Sequence, residues 1–238
     1  MPALFRRERH GLQPLAAQVA GVAHAETGRV ARPWRAVWRA VAHRHAAPGA
    51  ATRAHEHIAA LKTPYALFGH SLGALLACEM AHALRSLGCP EPVALFASGT
   101  AAPTMRADYD RGFAEPKTDA ELIEQLRTLN GTSEEVLANA ELMSLTLPVL
   151  RADFLLCGRF EPQQRPLLKC PVHVLGGKAD RATPEQLIGW SKETHGSFSV
   201  DMLSGGHFFI HEHEAKVLRV IKDQLDVHHR RHAMAASA

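Results

Sequence analysis

The sequence predicts an α/β fold, with a mostly parallel sheet, crossover helices and a helical insertion. Short apolar runs alternate with segments in which apolar residues recur at helical spacing, a pattern typical of parallel strands joined by helices. A serine flanked by glycines stands where the first such strand gives way to a helix. With 238 residues, the chain is long enough to bury a sizeable core in one domain.

The alternation of strands and helices begins near residue 65 and continues to about residue 225. Strands are predicted where short apolar runs end in glycine, proline or polar residues, and helices where apolar residues recur every three or four positions. In chain order, the pattern predicts a strand at 65–68, a helix to about 87, a strand at 92–97, helices within 119–157, a strand at 171–175, a helix at 184–194, a strand at 198–203 and a helix at 211–225.

The serine turn is the most informative motif. In Gly69-His70-Ser71-Leu72-Gly73, the serine lies between an apolar run and a helix-forming run. A Gly-x-Ser-x-Gly at a strand-to-helix turn is typical of a nucleophile elbow, because the turn is too tight for larger neighbours. The start of the helix would also present backbone N–H groups to the serine oxygen. Ser71 is therefore the candidate nucleophile, and the alternative is an ordinary turn with a capping serine.

A serine hydroxyl needs a base to take its proton and a third group to orient that base. In folds with such an elbow, the three groups follow one another along the chain as Ser, then Asp or Glu, then His. Asp180 follows the strand predicted at 171–175, and His207 follows the strand predicted at 198–203 after a pair of glycines. Both residues fall on loops just beyond strand ends, so we predict a triad of Ser71, Asp180 and His207.

Four other residues compete for the roles of base and orienting acid. The chain has 16 histidines, and a given histidine is more often a surface or core residue than a base. His211 and His213 lie close to the candidate base but in the predicted helix that follows it, where they would face solvent. Asp153 lies in a predicted helix and Asp201 within a predicted strand, which suits neither to orient an imidazole from a loop.

The insertion between the strands at 92–97 and 171–175 is predicted to be a lid of about residues 106–157. Its apolar residues recur at helical spacing from Leu122 to Phe154. In hydrolases of this kind, such an insertion covers the serine and shapes an acyl pocket. The alternative is that these helices simply extend the core.

Cysteine usage and hydropathy bear on the cellular compartment. The four cysteines show neither Cys-x-x-Cys nor metal-ligand spacing, which favours reduced thiols in a cytosolic protein without a metal site. No segment has the pattern of a signal peptide or a membrane span. Residues 227–238 are predicted to be a disordered tail, whose histidines leave a metal site there as a weak alternative.

These motifs together resemble the type II thioesterases of polyketide and nonribosomal peptide assembly lines, which are α/β-hydrolases. The resemblance implies hydrolysis of acyl or aminoacyl thioesters on the phosphopantetheine arm of carrier proteins, which clears stalled or misprimed chains. It implies acyl or peptidyl carrier protein domains as partners, and no cofactor beyond the phosphopantetheine of the substrate. The matching stretches, in order over roughly residues 54–225, are PYALFGHSLGA (64–74), LFASG (95–99), LNGT (129–132), LPVLRADF (147–154), CPV (170–172) and GGHFF (205–209).

The family's mechanism also needs two donors for the oxyanion of the tetrahedral intermediate. The resemblance assigns one to the backbone N–H of Leu72 and places the other on a loop after an early strand. Family members open with a strand and a Pro-x-x-Gly-Gly loop, followed by a Leu-Pro-Gly-Arg segment, and neither occurs before Ser71. The second donor is therefore missing from the expected position.

Residues 1–53 differ from the rest of the chain in composition. They hold nine arginines and two glutamates, with Trp34 and Trp38, and show no strand pattern. Codons for this segment, read one nucleotide later, can encode both missing motifs in one frame and in the right order. We interpret residues 1 to roughly 50 as a frameshifted translation of the family's N-terminal region, which the gene's nucleotide sequence tests. Loss of one oxyanion donor typically costs about 10² to 10³ in turnover, so we expect impaired activity.

Residues 1–53 are strongly basic and account for the positive formal net charge of +3, because the remainder of the chain is mildly acidic. Because basic and aromatic residues do not alternate there, we expect neither nucleic acid nor a membrane as partner, and we expect a monomer. Two other functions stay open. One is a general carboxylesterase or lipase that uses the same triad on small esters, and the other is a catalytically impaired protein that only binds carrier domains.

Overall fold

The computed structural model describes residues 20–24, 30–31, 64–106 and 109–236, with the backbone alone at 20–24, 30–31, 229 and 231–236. The strands of this part of the chain form one sheet in the order β2-β1-β3-β4-β5-β6. They are β1 (Ala20–His24), β2 (Val30–Ala31), β3 (Tyr65–His70), β4 (Leu95–Ser98), β5 (Val172–Gly177) and β6 (Phe198–Leu203).

The four strands from β3 to β6 are parallel to their neighbours. All residues of β4 and β5 are buried, as expected for the centre of a parallel sheet with helices on its faces. Ser98 at the end of β4 lies opposite both His70 and Leu175, so these strands finish at one edge of the sheet. The α/β fold predicted from the sequence is confirmed, and the loops that carry Ser71, Asp180 and His207 all leave from this edge.

Two short strands precede the parallel sheet, although the sequence pattern predicts none there. Strand β1 pairs antiparallel with β3 along its whole length, and β2 pairs with β1. The physical reason lies in β3, whose outer edge otherwise presents unpaired backbone groups, so a segment with weak strand propensity pairs there. Residues 1–19, 25–29 and 32–63 lie outside the described part of the chain, and the frameshift interpretation stays a prediction.

Helices connect the parallel strands and cover the sheet. Helix α1 (Leu72–Ser86), which connects β3 to β4, packs on the sheet with eleven buried residues. The predicted helix at 184–194 is shorter, because α5 passes into a 3₁₀ turn at Gly189–Glu193. The helices are α1 (Leu72–Ser86), α2 (Asp119–Leu129), α3 (Glu134–Leu137), α4 (Ala140–Gly158), α5 (Pro184–Ile188), α6 (Phe209–Glu212) and α7 (Glu214–Ala236).

Helices α2, α3 and α4 form the insertion. A capping box starts α2, since the Thr118 hydroxyl accepts from the Glu121 N–H at 3.3 Å and the Glu121 carboxylate accepts from the Thr118 N–H at 2.8 Å. Asn130 ends it in the left-handed conformation, with φ of 53°. The insertion has an apolar cluster of its own, formed by Phe113, Leu122, Leu126, Leu137, Met143, Leu147, Leu150 and Phe154.

The C-terminal helix α7 extends to Ala236, whereas the sequence pattern predicts a disordered tail from residue 227. His228 explains the difference. It is buried against the sheet, and its Nε2 lies 2.9 Å from Nε2 of His173 in β5. Leu225 and Ile221 of the same helix pack against Phe96 and its neighbours, so α7 is held by contacts that a local pattern does not reveal.

Other sequence expectations concern metals, membranes and thiols. Within the described residues, no helix is both long and apolar enough to cross a bilayer. The same part of the chain holds no group of three or more potential metal-ligating side chains. The cysteines Cys78, Cys89, Cys157 and Cys170 are free thiols.

Candidate active site

Ser71 occupies a strained turn between β3 and α1. Its backbone has φ of 55° and ψ of −125°, in a region that residues with a side chain rarely adopt. A Cβ at Gly69 would lie only 2.0 Å from the carbonyl oxygen of Gly73, which explains why glycine is required there. The Ser71 N–H donates to the backbone carbonyl of Ser98 at 2.7 Å. The sharp turn is therefore anchored to the neighbouring strand.

Leu72 is the first residue of α1. The first N–H groups of a helix lack acceptors within the helix, and they carry the positive end of its dipole. The Leu72 N–H is therefore the candidate donor for an oxyanion formed at Ser71. The position expected for a second donor, on a loop after an early strand, lies outside the described residues.

Asp180 and His207 are brought together by the loops after β5 and β6. The Nδ1–H of His207 donates to the Asp180 carboxylate, at 3.1 Å from each oxygen. Both side chains are buried, with 6% of His207 and 2% of Asp180 exposed. The two loops are joined by backbone hydrogen bonds, from Lys178 N–H to the Leu203 carbonyl at 2.8 Å and from Ala179 N–H to the Gly205 carbonyl at 2.9 Å. The relative position of Asp180 and His207 is thus fixed by backbone hydrogen bonds as well as by the bond between the two side chains.

The Asp180 carboxylate has a second donor, the backbone N–H of Arg181 at 2.7 Å. The Arg181 guanidinium binds Asp110 and lies 4.1 Å from the ring centroid of Tyr109. Asp110 is buried and also pairs with the buried Arg106. This network holds the loop after β5 against the segment that leads into the insertion, and it fixes the direction of Asp180.

The competing residues lie in other surroundings. His211 is exposed in α6, and its ring stacks on Phe208 with centroids 5.9 Å apart. His213 is half-buried, and its Nε2 lies 2.7 Å from the Ser204 hydroxyl. Asp153 is buried in α4 of the insertion, and Asp201 lies within β6. Of the acids and histidines considered, the structure joins only Asp180 and His207 through a carboxylate–imidazole bond among the described residues.

His70 and Ser98 belong to this site, although the sequence pattern did not single them out. His70 is 3% exposed, and its Nδ1 hydrogen-bonds with the Ser98 hydroxyl at 2.9 Å. The His70 ring centroid lies 4.9 Å from that of His207, so the elbow and the Asp180–His207 pair are adjacent. Burial holds the pKa of His70 well below its ordinary value. His70 and Ser98 lie opposite each other at the ends of the neighbouring parallel strands β3 and β4. This pairing is what brings the two side chains together.

The insertion reaches the site through the turn after α2. A Cβ at Gly131 would lie 2.0 Å from Cε2 of Phe208, so the backbone of this turn packs directly on the Phe208 ring. That ring meets the His207 ring edge to face, with centroids 5.1 Å apart. One aromatic side chain therefore separates the insertion from the candidate base.

Comparisons with known proteins show the family of the chain. A model of the thioesterase domain family matches residues 50–225. The gramicidin S biosynthesis protein GrsT of Aneurinibacillus migulanus is 39% identical over 166 residues, covering 69% of this chain and 64% of that protein. The chain thus spans slightly less than two thirds of this relative, and it covers 62% of the thioesterase PikA5 of Streptomyces venezuelae.

Solved structures show the same likeness. The thioesterase RedJ from the prodiginine pathway of Streptomyces coelicolor is 37% identical with a TM-score of 0.65, covering 73% of this chain and 69% of that one. The type II thioesterase BorB from the borrelidin biosynthetic cluster is 36% identical with a TM-score of 0.63, covering 74% and 71%. Sequence and fold lead to the same conclusion: the chain belongs to the thioesterase family.

Proposed function

We propose that this chain hydrolyses acyl thioesters on the phosphopantetheine arm of carrier proteins, through a triad of Ser71, Asp180 and His207. The observation that carries the proposal is the strained serine turn beside the buried Asp180–His207 pair. Membership of the thioesterase family supports a thioester as the bond that is cleaved. The names of its relatives, which connect them with gramicidin S and with the prodiginine and borrelidin pathways, support an editing role in such biosynthesis.

The first half of the reaction transfers the acyl group to Ser71. His207 takes the hydroxyl proton at Nε2, because its Nδ1–H is engaged by Asp180, and the serine oxygen attacks the thioester carbonyl. The Leu72 N–H donates to the oxyanion of the tetrahedral intermediate. When the carbon–sulfur bond breaks, His207 returns the proton to the sulfur and the carrier leaves as a free thiol.

The second half releases the acid. A water molecule gives a proton to His207 and attacks the ester carbonyl on Ser71, again through an oxyanion beside Leu72. Collapse of that intermediate breaks the carbon–oxygen bond to Ser71, which recovers its proton from His207. Throughout, the buried Asp180 carboxylate stabilises the imidazolium and keeps the proton-accepting nitrogen directed at the reacting atoms.

The insertion fits the role of a lid in this reaction. Its apolar cluster is separate from the clusters of the sheet, and its Gly131 turn packs on Phe208 beside His207. An element of this kind can cover an acyl group bound at Ser71 and exclude bulk water. This placement supports an acyl pocket between the insertion and the carboxyl edge of the sheet.

Turnover of an acyl-loaded carrier protein by the full chain is the direct test. We expect release of the free acid and of the carrier thiol, measured by mass spectrometry, with the Ser71→Ala variant as the control. A small-molecule thioester of the same acyl group should be hydrolysed more slowly than the carrier-bound form. Equal rates on both, together with rapid hydrolysis of p-nitrophenyl esters, would instead identify a general carboxylesterase.

Labelling with a fluorophosphonate separates an enzyme from a catalytically impaired binding protein. Labelling of the wild-type chain but not of Ser71→Ala is expected, whereas no labelling of either, with retained binding of a carrier domain, would contradict the proposal. A gene in which the shifted reading frame is restored should be tested in parallel. If the second oxyanion donor lies in that region, the restored protein should turn over about 10² to 10³ faster.

A further inference from the structure

His70 is a buried titratable residue that the reaction described above does not use. It precedes the nucleophile at the end of β3, and 3% of it is exposed. Its ring contacts the end of β4 through Ser98 and lies beside the ring of His207. Because His70 is thus adjacent to the nucleophile in the chain and to the candidate base in space, its ring can influence how the two are arranged.

Ser98 connects His70 with the nucleophile. Its backbone carbonyl accepts from the Ser71 N–H at 2.7 Å, and its hydroxyl hydrogen-bonds with Nδ1 of His70 at 2.9 Å. Gly99, with φ of 65°, allows the His70 ring to approach, because a Cβ there would lie 2.5 Å from Cε1 of that ring. The end of β4 therefore contacts both the serine turn and the His70 ring.

The His70 ring also lies beside His207. The two ring centroids are 4.9 Å apart with planes inclined at 46°, and Phe209 meets His70 edge to face at 5.7 Å. Asp180 holds His207 through both carboxylate oxygens, but at Nδ1 alone, and contacts at one ring nitrogen leave the imidazole able to rock about that point. The neighbouring His70 ring would limit this movement of the His207 imidazole.

The charge state of His70 suits this role. Burial lowers its pKa well below the ordinary value, and the neighbouring His207 and His211 lower it further. An uncharged His70 does not oppose the imidazolium that forms at His207 during the reaction.

We propose that His70 is a positioning residue, held by Ser98 and Gly99, whose ring fixes the orientation of His207 relative to Ser71. The proposal rests on the proposed function for its effect on turnover, but its structural content is independent of any substrate. It predicts that removing the ring of His70 allows the His207 imidazole to move. It also predicts that a ring without nitrogens at position 70 keeps most of the fixed orientation of His207. Because His70 is buried and acts through His207, the effect should fall on kcat and leave KM nearly unchanged.

The first test observes His207 directly. The Nδ1–H of His207, bonded to Asp180, should give a downfield proton resonance in the NMR spectrum of the full chain. We expect that resonance to broaden or vanish in His70→Ala and His70→Asn, because rocking of the imidazole exposes the proton to exchange, and to persist in His70→Phe. His82→Asn is the matched control, since His82 is also buried and has a pKa lowered to about 4, but it bonds with Arg85 at the far end of α1.

The second test measures the consequence for Ser71. Fluorophosphonate labelling and kcat should fall about tenfold to a hundredfold in His70→Asn and His70→Ala, because small misplacements of catalytic groups cost rates of this order. His82→Asn should label at the wild-type rate. Circular dichroism establishes that each variant is folded, and if His70→Ala fails to fold, His70→Asn carries the comparison because its amide can still bond with Ser98.

The outcomes separate the two proposals. An unchanged His207 resonance in folded His70→Asn would overturn the positioning role of His70, whatever the enzyme hydrolyses. A wild-type chain that shows the resonance but neither labels nor hydrolyses any thioester would overturn the proposed function, while the NMR comparison would still decide the role of His70.

Discussion

The parallel sheet and the insertion differ in how they are held together. The strands β4 and β5 are buried throughout. Backbone hydrogen bonds join the turn after β3 to the end of β4, and the loop after β5 to the end of β6 and its loop. The insertion has its own small cluster, and it exposes 71% of Leu145 on α4. The candidate catalytic residues therefore lie on the sheet, whereas the insertion has a core of its own and joins the core of the sheet at the end of α4, where Leu156 and Cys157 pack against it.

The largest effect on turnover should follow from changes at the carboxyl ends of the parallel strands. Ser71→Ala removes the nucleophile and should lower turnover of an acyl carrier protein by more than about 10⁴-fold. Because alanine keeps the strained φ of 55°, the melting temperature should change little. Ser71→Gly should be equally inactive but more stable, since glycine adopts this conformation without strain. A Ser71→Ala variant with near wild-type activity would show that the reaction does not take place at Ser71.

A change at the contact between the two units should have an intermediate effect. In Gly131→Ala, the new Cβ would lie 2.0 Å from the Phe208 ring, so the turn or the ring must move away beside His207. We expect kcat to fall about tenfold through misplacement of the base, with little change in the melting of the sheet. Gly112→Ala is the matched control, because a Cβ at Gly112 meets no heavy atom within 4 Å. Equal kinetics for both variants would show that the insertion does not influence the base.

Acid should weaken the sheet before the insertion. Burial lowers the pKa of His82 and His173 to about 4. Between roughly pH 6.5 and 4, the unfolded chain therefore binds more protons than the folded chain, and the free energy of unfolding falls as the pH drops. Residues 119–158 contain no histidine. Amide hydrogen exchange at pH 7 and pH 5 should show a larger loss of protection in α1 and β5 than in α2 and α4, and an equal loss would contradict this assignment.

The smallest effect should be confined to the insertion. Thr118→Ala removes the capping box of α2, which typically costs about 1 kcal/mol. If the insertion is a separate unit, hydrogen exchange should accelerate in the first turns of α2 while β5 keeps its protection. A comparable loss of protection in β5 would show that the two units unfold together.

The fold and much of the site could be predicted because they depend on local patterns. Strand β6 begins and ends where the alternation of residues 198–203 predicts. The Gly-x-Ser-x-Gly turn predicts Ser71, and positions just after strand ends predict Asp180 and His207. The parallel register gathers those strand ends at one side of the sheet. Their catalytic roles stay predictions. The α/β fold and the thioesterase family are confirmed.

The remaining features depend on contacts between distant parts of the chain. Helix α7 continues through a segment predicted to be disordered because His228 reaches His173, 55 residues away. Strand β1 forms because the edge of β3 offers hydrogen bonds to a segment with little strand propensity of its own. Neither effect has a local signature, since each depends on a partner that only folding brings near.

Residue types and their order predict a serine on a tight turn, an acid and a histidine in the expected order, and the alternation of strands and helices. How these groups meet is visible only in the folded molecule. It bonds His207 to both oxygens of Asp180, places His70 between Ser98 and His207, and brings the Gly131 turn onto Phe208. The physical reason is that residue type and spacing report on local conformation, whereas distances of a few ångströms between remote side chains are set by packing of the whole sheet.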